Sequence, residues 1–235
     1  MNRQLAVQFE YRSGNTFADY FPGDNQAATA HLQQAATGAG ERHLHLYGGP
    51  ALGKTHLLQA CAQSAQDLGR TALYIPLKHP NLSLDLLEGL EHFELVLLDD
   101  IDAVVKQTGW EYALFNLYNR MYQAQHQLIL SSRLSPKQLP VELPDLHTRL
   151  NWGLTLALSP LSDADMIAAL QRKTLNMGCL LKPEAAQYLL SHYGREPWQL
   201  WRLLEKLDQA ALSAKRKLTI PFIKEILTRP TDSAS

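Results

Sequence analysis

"HLHLYGGPALGKTHLLQACAQSAQDLG", residues 43–69, sets an apolar β-rich run, a glycine-rich turn and a helix in direct succession. The turn "GGPALGKT" (48–55) fits G-x-x-x-x-G-K-[ST], with Gly48, Gly53, Lys54 and Thr55 at the fixed positions. Glycine frees the backbone to curl, so the loop Gly48, Gly49, Pro50, Ala51, Leu52, Gly53 is expected to wrap phosphates with inward N–H groups. The helix that follows adds the positive end of its dipole. Lys54 is expected to reach the β- and γ-phosphates of a nucleotide, Thr55 to ligate Mg²⁺, and His56 to border the loop. A plain glycine turn with a surface lysine would not need a strand before it and a helix after it.

Moving outward, β-rich runs and helical stretches alternate. Strands are predicted at 71–77, 94–100, 128–132 and 154–159, beside the first at 43–48, with helices at 54–69 and 110–125. That alternation predicts an α/β fold, a parallel sheet with helices on both faces. The run "LVLLDD" (95–100) ends in Asp99 and Asp100. A carboxylate at a central strand's end can hold hydrated magnesium across from Thr55, so Asp99 is the candidate metal ligand. Asp100 stands where an acid that polarises the attacking water would sit.

After Pro160 the strand pattern stops. "SDAD" (162–165) reads as a capping box with Ser162 as N-cap, and Pro183, Pro197 and the Thr219–Pro221 stretch open three further helices. The expected organisation is a tail at 1–15, an α/β nucleotide-binding domain at 16–159 and a small all-helical domain at 160–230. The tail carries "QLAVQF" (4–9), in which Gln4 offers an amide hook and Leu5, Val7 and Phe9 offer apolar plugs for a surface pocket.

Composition narrows the partners. Residues 1–158 hold 11 Lys/Arg against 15 Asp/Glu, and residues 159–235 hold 11 against 8, so the two parts carry −4 and +3. Neither is basic enough to hold duplex DNA alone, and DNA is expected to reach the protein mostly through partners. No apolar run approaches the roughly 20 residues of a membrane helix, and the start lacks a secretory centre, which points to the cytoplasm without membrane contact. Cys61 and Cys179 have no paired spacing. Most of the nine histidines read as surface or satisfied residues, His43 and His45 alternate along a strand and share a face, and Tyr112, Phe115, Tyr118 and Tyr122 read as core.

The combination of loop, double aspartate and trailing helical domain resembles the AAA+ ATPases, and its details resemble the DnaA/Hda family. "TFADYFPGDNQAA" (16–28) is similar to the family's lead-in around the nucleotide base, which implies contacts from Phe21, Pro22 and Asn25. "ILSSRLSP" (129–136) resembles its sensor-one strand, placing Ser132 near the phosphates, and "EPWQLWRLL" (196–204) puts Trp198 where the sensor-two arginine stands. "LHTRLNWGL" (146–154) resembles the segment carrying the arginine finger, Arg149, and "KLTIPFIKEIL" (217–227) the closing helix. Arg133 replaces an acid and Trp198 an arginine, which lowers the expected intrinsic hydrolysis; Arg195 and Arg202 lie nearby but off the position.

The resemblance implies a regulator holding ADP or another nucleoside diphosphate, with ATP as the other candidate, and Mg²⁺. Its tail would dock on the DNA-loaded sliding clamp, the β subunit of DNA polymerase III. Arg149 would then promote hydrolysis of DnaA-bound ATP and prevent re-initiation of replication. The DnaA-type DNA-binding domain beyond the lid is not expected here, and a homodimer stays open. The other readings are a free-standing AAA+ ATPase such as a helicase loader, a small P-loop kinase, and Arg149 as a structural salt bridge.

Overall fold

The computed structural model describes residues 15–80, 82–214 and 216–228, and "QLAVQF" lies outside them. The chain divides into two compact units between Pro160 and Leu161. The first contains α1 (Gln26–Ala36), β1 (His43–Tyr47), α2 (Lys54–Asp67), β2 (Ala72–Pro76) and β3 (Leu95–Asp99). It continues through α3 (Trp110–Ala124), β4 (Gln127–Ser132), α4 (Pro144–Leu150) and β5 (Leu154–Ala157).

All strand pairs are parallel, in the order β2-β3-β4-β1-β5. A parallel sheet is covered on both faces, so its central strands are apolar throughout instead of alternating. In β3, Leu95 and Leu97 join Ile129 in the core against α1 and α2, where Leu32, Leu57 and Leu58 are buried. Val96 and Leu98 point the other way and join Leu128 and Leu130 against α3 and α4. The expected sheet covered on both faces is therefore what forms.

The strands end within one or two residues of their predicted limits, but α1 and α4 were not anticipated. The first is alanine- and glutamine-rich, with Leu32 its one large apolar residue, so its periodicity is faint. The second is seven residues long and opened by Pro144. One expectation needs correction: on α3, Tyr118 is buried, but Tyr112 and Tyr122 are 65% and 51% exposed. A four-turn helix packs only one stripe, and those two rings lie off it.

The second unit is helical: α5 (Asp163–Asn176), α6 (Pro183–Tyr193), α7 (Pro197–Ala214) and α8 (Ile220–Thr228). Ser162 caps α5, its Oγ accepting from the Asp165 N–H at 3.1 Å and donating to Asp165 Oδ2 at 2.6 Å. Leu170, Leu189, Leu200, Leu204, Phe222 and Ile223 are buried together at its centre.

Two histidines are not the bland residues expected. His45 is buried on β1 with Nε2 2.7 Å from Ser132 Oγ, while its Nδ1 and the Nε2 of His43 have no protein partner. Burial pushes the His45 pKa down to about 3; burial first, then the charges of Arg149 and Arg42, push His43 down to about 4. Both stay neutral in the fold at pH values where the unfolded chain, titrating near 6.5, binds protons. Stability is therefore full above about pH 6.5 and falls as pH drops toward the folded values. For His45 the slope is about 1.4 kcal/mol per pH unit, or about 2 kcal/mol between pH 6.5 and 5. Urea unfolding at pH 7 and pH 5 should reveal that loss, and His45→Gln, which keeps an amide for Ser132 without a titrating ring, should remove the His45 share and leave that of His43.

Candidate functional site

The phosphate loop leaves β1 and turns into α2 at Gly53, whose φ of 88° is left-handed. A Cβ there would also lie 2.6 Å from Tyr20 Cε2, so glycine is required twice over. Tyr20 belongs to the lead-in segment; its hydroxyl reaches the Leu52 carbonyl at 3.4 Å, and burial pushes its pKa up to about 12. His56 approaches the same segment, with Nε2 2.8 Å from the Thr16 carbonyl and its ring tilted against Tyr20. Lead-in and loop thus support one another.

Lys54 Nζ donates to the carbonyls of Gly48 and Gly49 at 2.6 and 2.7 Å, folding across the loop. Burial pushes its pKa down, against the opposing pull of Asp100, Asp99 and Asp102. Thr55 Oγ1 donates to Asp99 Oδ2 at 2.6 Å. Asp99 is buried and also accepts from Tyr74 Oη at 2.9 Å and from Ser131 Oγ. A threonine hydroxyl beside an aspartate carboxylate is an oxygen donor set suited to a hard divalent cation, so these residues fit Mg²⁺.

Asp100 leaves the strand with a left-handed φ of 60° and its Oδ2 lies 2.6 Å from Lys78 Nζ. Its N–H donates to Ser131 Oγ at 2.8 Å. Ser132 is buried and bonded to His45 and to the Leu134 carbonyl, and Arg133 turns to Asp102, its N–H reaching Oδ1 at 3.1 Å. Asn25 is buried as well, joining Ser159 through paired bonds of 2.9 and 2.8 Å. Phe21 and Pro22 are half-buried just before it. Trp198 lies in the first turn of α7, in the second unit, and is 51% exposed.

The loop, Asp99 and Asp100 therefore come together at the carboxyl edge of the sheet, while Ser132 and Asn25 have side chains engaged with other parts of the same unit. Sequence reasoning missed Tyr74, Ser131 and Lys78. Strand register alone brings the first two to Asp99, which no local sequence signal displays.

The family model for the bacterial DnaA ATPase domain matches residues 77–157, and that for the Hda lid domain matches residues 163–227. The chain belongs to the DnaA/Hda family. Domain III of the Thermotoga maritima replication initiation protein DnaA is similar at a TM-score of 0.75 and 20% identity, over 92% of this chain and 98% of that one. AMPPCP-bound DnaA from Aquifex aeolicus is similar at 0.73 and 21%, over 96% and 86%. The Thermotoga maritima RuvB branch migration motor is similar at 0.67 and 17%, over 90% and 72%. These likenesses establish a DnaA-like AAA+ fold with an Hda-type lid. The matched stretches exclude residues 48–55, so the loop stands on its own pattern and geometry.

Arg149 occupies the last turn of α4, half-buried, at the opposite end of β1 from the loop. Among the described residues it makes no ion pair. Its Cζ lies 4.0 Å from the Trp152 ring centroid and 5.9 Å from those of Tyr118 and Tyr122. The structural salt bridge considered for it does not form among the described residues. Gly153 closes this turn against β1: a Cβ there would lie 2.9 Å from the His43 carbonyl carbon and closer still to its oxygen. That neighbour is backbone in a paired strand and cannot yield. Gly153→Ala should cost about 1–3 kcal/mol, the usual range for overpacking, measured as a lowered urea midpoint.

Proposed function

We propose that this DnaA-related AAA+ protein is a nucleotide-bound regulator whose arginine acts on ATP held by DnaA. The observation that carries the reading is Arg149 itself. A guanidinium with no ion pair among the described residues, half-exposed on a short helix, keeps its N–H donors available. Such a fork stabilises charge that builds on a γ-phosphate, a contribution of roughly 10³ to 10⁵ in rate when supplied in trans.

The chain's own site is proposed to hold a nucleoside diphosphate, ADP first and ATP second. The loop 48–55 wraps the phosphates, Lys54 neutralises them, and Phe21, Pro22 and Asn25 frame the base side. Thr55 and Asp99 hold Mg²⁺, which supplies charge compensation for the phosphates. Support comes from the geometry around Asp99 and from DnaA structures, one of which holds AMPPCP and single-stranded DNA. Asp100 paired with Lys78, and Ser132 bonded to His45, favour slow intrinsic turnover over the free-standing ATPase or helicase-loader reading.

Gln4, Leu5, Val7 and Phe9 are proposed to dock on the sliding clamp loaded on DNA, which concentrates the protein where synthesis has begun. The protein would then work in the cytoplasm, meeting DNA through its partners, alone or as a homodimer.

Two experiments test this. Arg149→Ala should leave the fold, diphosphate binding and clamp binding intact, yet lower stimulated hydrolysis of DnaA-bound ATP about a thousandfold, roughly 4 kcal/mol of barrier. Arg149→Lys should fail largely too, since a point charge does not span two oxygens. Near-wild-type stimulation by Arg149→Ala sinks the trans-acting reading. In a pull-down, Gln4→Ala with Phe9→Ala should lose the clamp while isothermal titration finds diphosphate affinity unchanged; retained clamp binding would remove the tail from the mechanism.

A further inference from the structure

A guanidinium has two kinds of surface. Its edge carries five N–H donors, and its face is a delocalised cation that stacks on aromatic rings. A carboxylate partner takes the edge, whereas an aromatic partner takes the face. Around Arg149 the nearest ring is the Trp152 indole, with Cζ 4.0 Å from its centroid, and the more distant rings of Tyr118 and Tyr122 complete the surround.

The surround is itself fixed. Tyr118 is buried and stacked on His43 at a centroid distance of 4.2 Å and 13° between planes. Tyr122, one helical turn on, lies 6.1 Å from the same His43 ring. Trp152 is 58% exposed, but its backbone is held: its N–H donates to the Arg149 carbonyl at 3.1 Å, and Gly153 behind it lies against the backbone of His43. Arginine and indole therefore hang on one turn of chain wedged against β1. An exposed tryptophan costs a soluble surface something, and nothing in the packing of the first unit's cores calls for one here.

We propose that Trp152 is a positioning residue for Arg149: the indole holds the guanidinium by its face and leaves the N–H fork open to two oxygens of a partner's phosphate. This rests on the trans-acting reading of Arg149 and adds a residue to it. A cation–π contact at an exposed site corresponds to about a two- to fivefold change in an equilibrium or rate. The contact is weak enough for the side chain to extend when the partner arrives, and strong enough to bias its orientation beforehand.

The test uses the full chain as wild type, Trp152→Leu, Trp152→Phe and Arg149→Ala. By nuclear magnetic resonance, the Arg149 δ-methylene protons, assigned by their absence in Arg149→Ala, should be shifted upfield by the indole ring current. Trp152→Leu should return them to ordinary positions, and Trp152→Phe should keep part of the shift. In stimulated hydrolysis of DnaA-bound ATP, Trp152→Leu should lower the maximal rate about two- to fivefold with an unchanged half-saturating concentration. Trp152→Phe should recover most of it. Unshifted Arg149 protons in the wild type, with stimulation still lost in Arg149→Ala, overturn the positioning role alone. A Trp152→Leu effect confined to the half-saturating concentration makes Trp152 a docking residue and also overturns it. Stimulation that survives Arg149→Ala removes the trans-acting reading and this role together.

Discussion

Asp99 ends an apolar strand at 2% exposure, where a carboxylate is tolerated only if hydrogen bonds replace the water it has lost. Three hydroxyls replace it: Thr55 from α2, Tyr74 from β2 and Ser131 from β4. The strand order makes this possible, because β3 lies between β2 and β4, and β4 lies beside β1. Thr55 spans the one strand that separates the phosphate loop from the acid. Ser131 does double service, since its Oγ also accepts the Asp100 N–H and so fixes where the next carboxylate leaves the sheet. Burial, and then the Asp99 charge, push the Tyr74 pKa up, so its phenol stays a donor well above neutral pH. Removing any one hydroxyl would leave part of a buried carboxylate unpaired, the costly kind of loss.

That hub marks where sequence reading succeeds and where it stops. The loop and the double aspartate were legible because each obeys a local rule: a backbone that must curl, and an apolar run that must end in charge. The hydroxyls around Asp99 were not, because they arrive through register. Pro76 pairs with Asp99 and Leu98 with Leu130, and only that alignment sets Tyr74 and Ser131 beside the acid. The Asn25–Ser159 clasp joins residues 134 apart, which no spacing rule reaches. Helix α1 escaped because alanine and glutamine give little contrast between faces. The mixed fate of the α3 tyrosines has a similar source, since helical spacing gives the stripe but not which rings fall beyond its edge.

The departures from the family pattern acquire a physical sense at the carboxyl edge of the sheet. Three carboxylates, Asp99, Asp100 and Asp102, share this edge with three cations, Lys54, Lys78 and Arg133. Lys78 pairs with Asp100 at 2.6 Å, and Arg133 lies 3.9 Å from Asp102, replacing an acid by a base that offsets a neighbouring one. Both pairs are partly exposed, so each contributes little to stability. Their larger effect is geometric: the Asp100 oxygen bonded to Lys78 is already occupied by that contact. Such a balance supports the proposal that this site holds a nucleotide and turns it over slowly.

Arg149 follows the opposite logic from five other arginines. Arg70, Arg120, Arg133, Arg195 and Arg216 all lie within 4 Å of a carboxylate, and Arg195 grips Asp163 through two bonds of 2.8 Å. A carboxylate holds an arginine firmly but cancels its charge at a distance, and it occupies the donors a phosphate would use. An aromatic ring carries no net charge, so its quadrupole orients the cation without cancelling its field. Detaching an arginine from a half-buried acid also leaves that acid unpaired, whereas leaving the indole strands no charge. The Trp-Gly pair after α4 therefore supplies what an arginine needs if it is to act outside its own chain: the indole gives orientation at little cost in charge, and the glycine gives the close approach to β1 that places it.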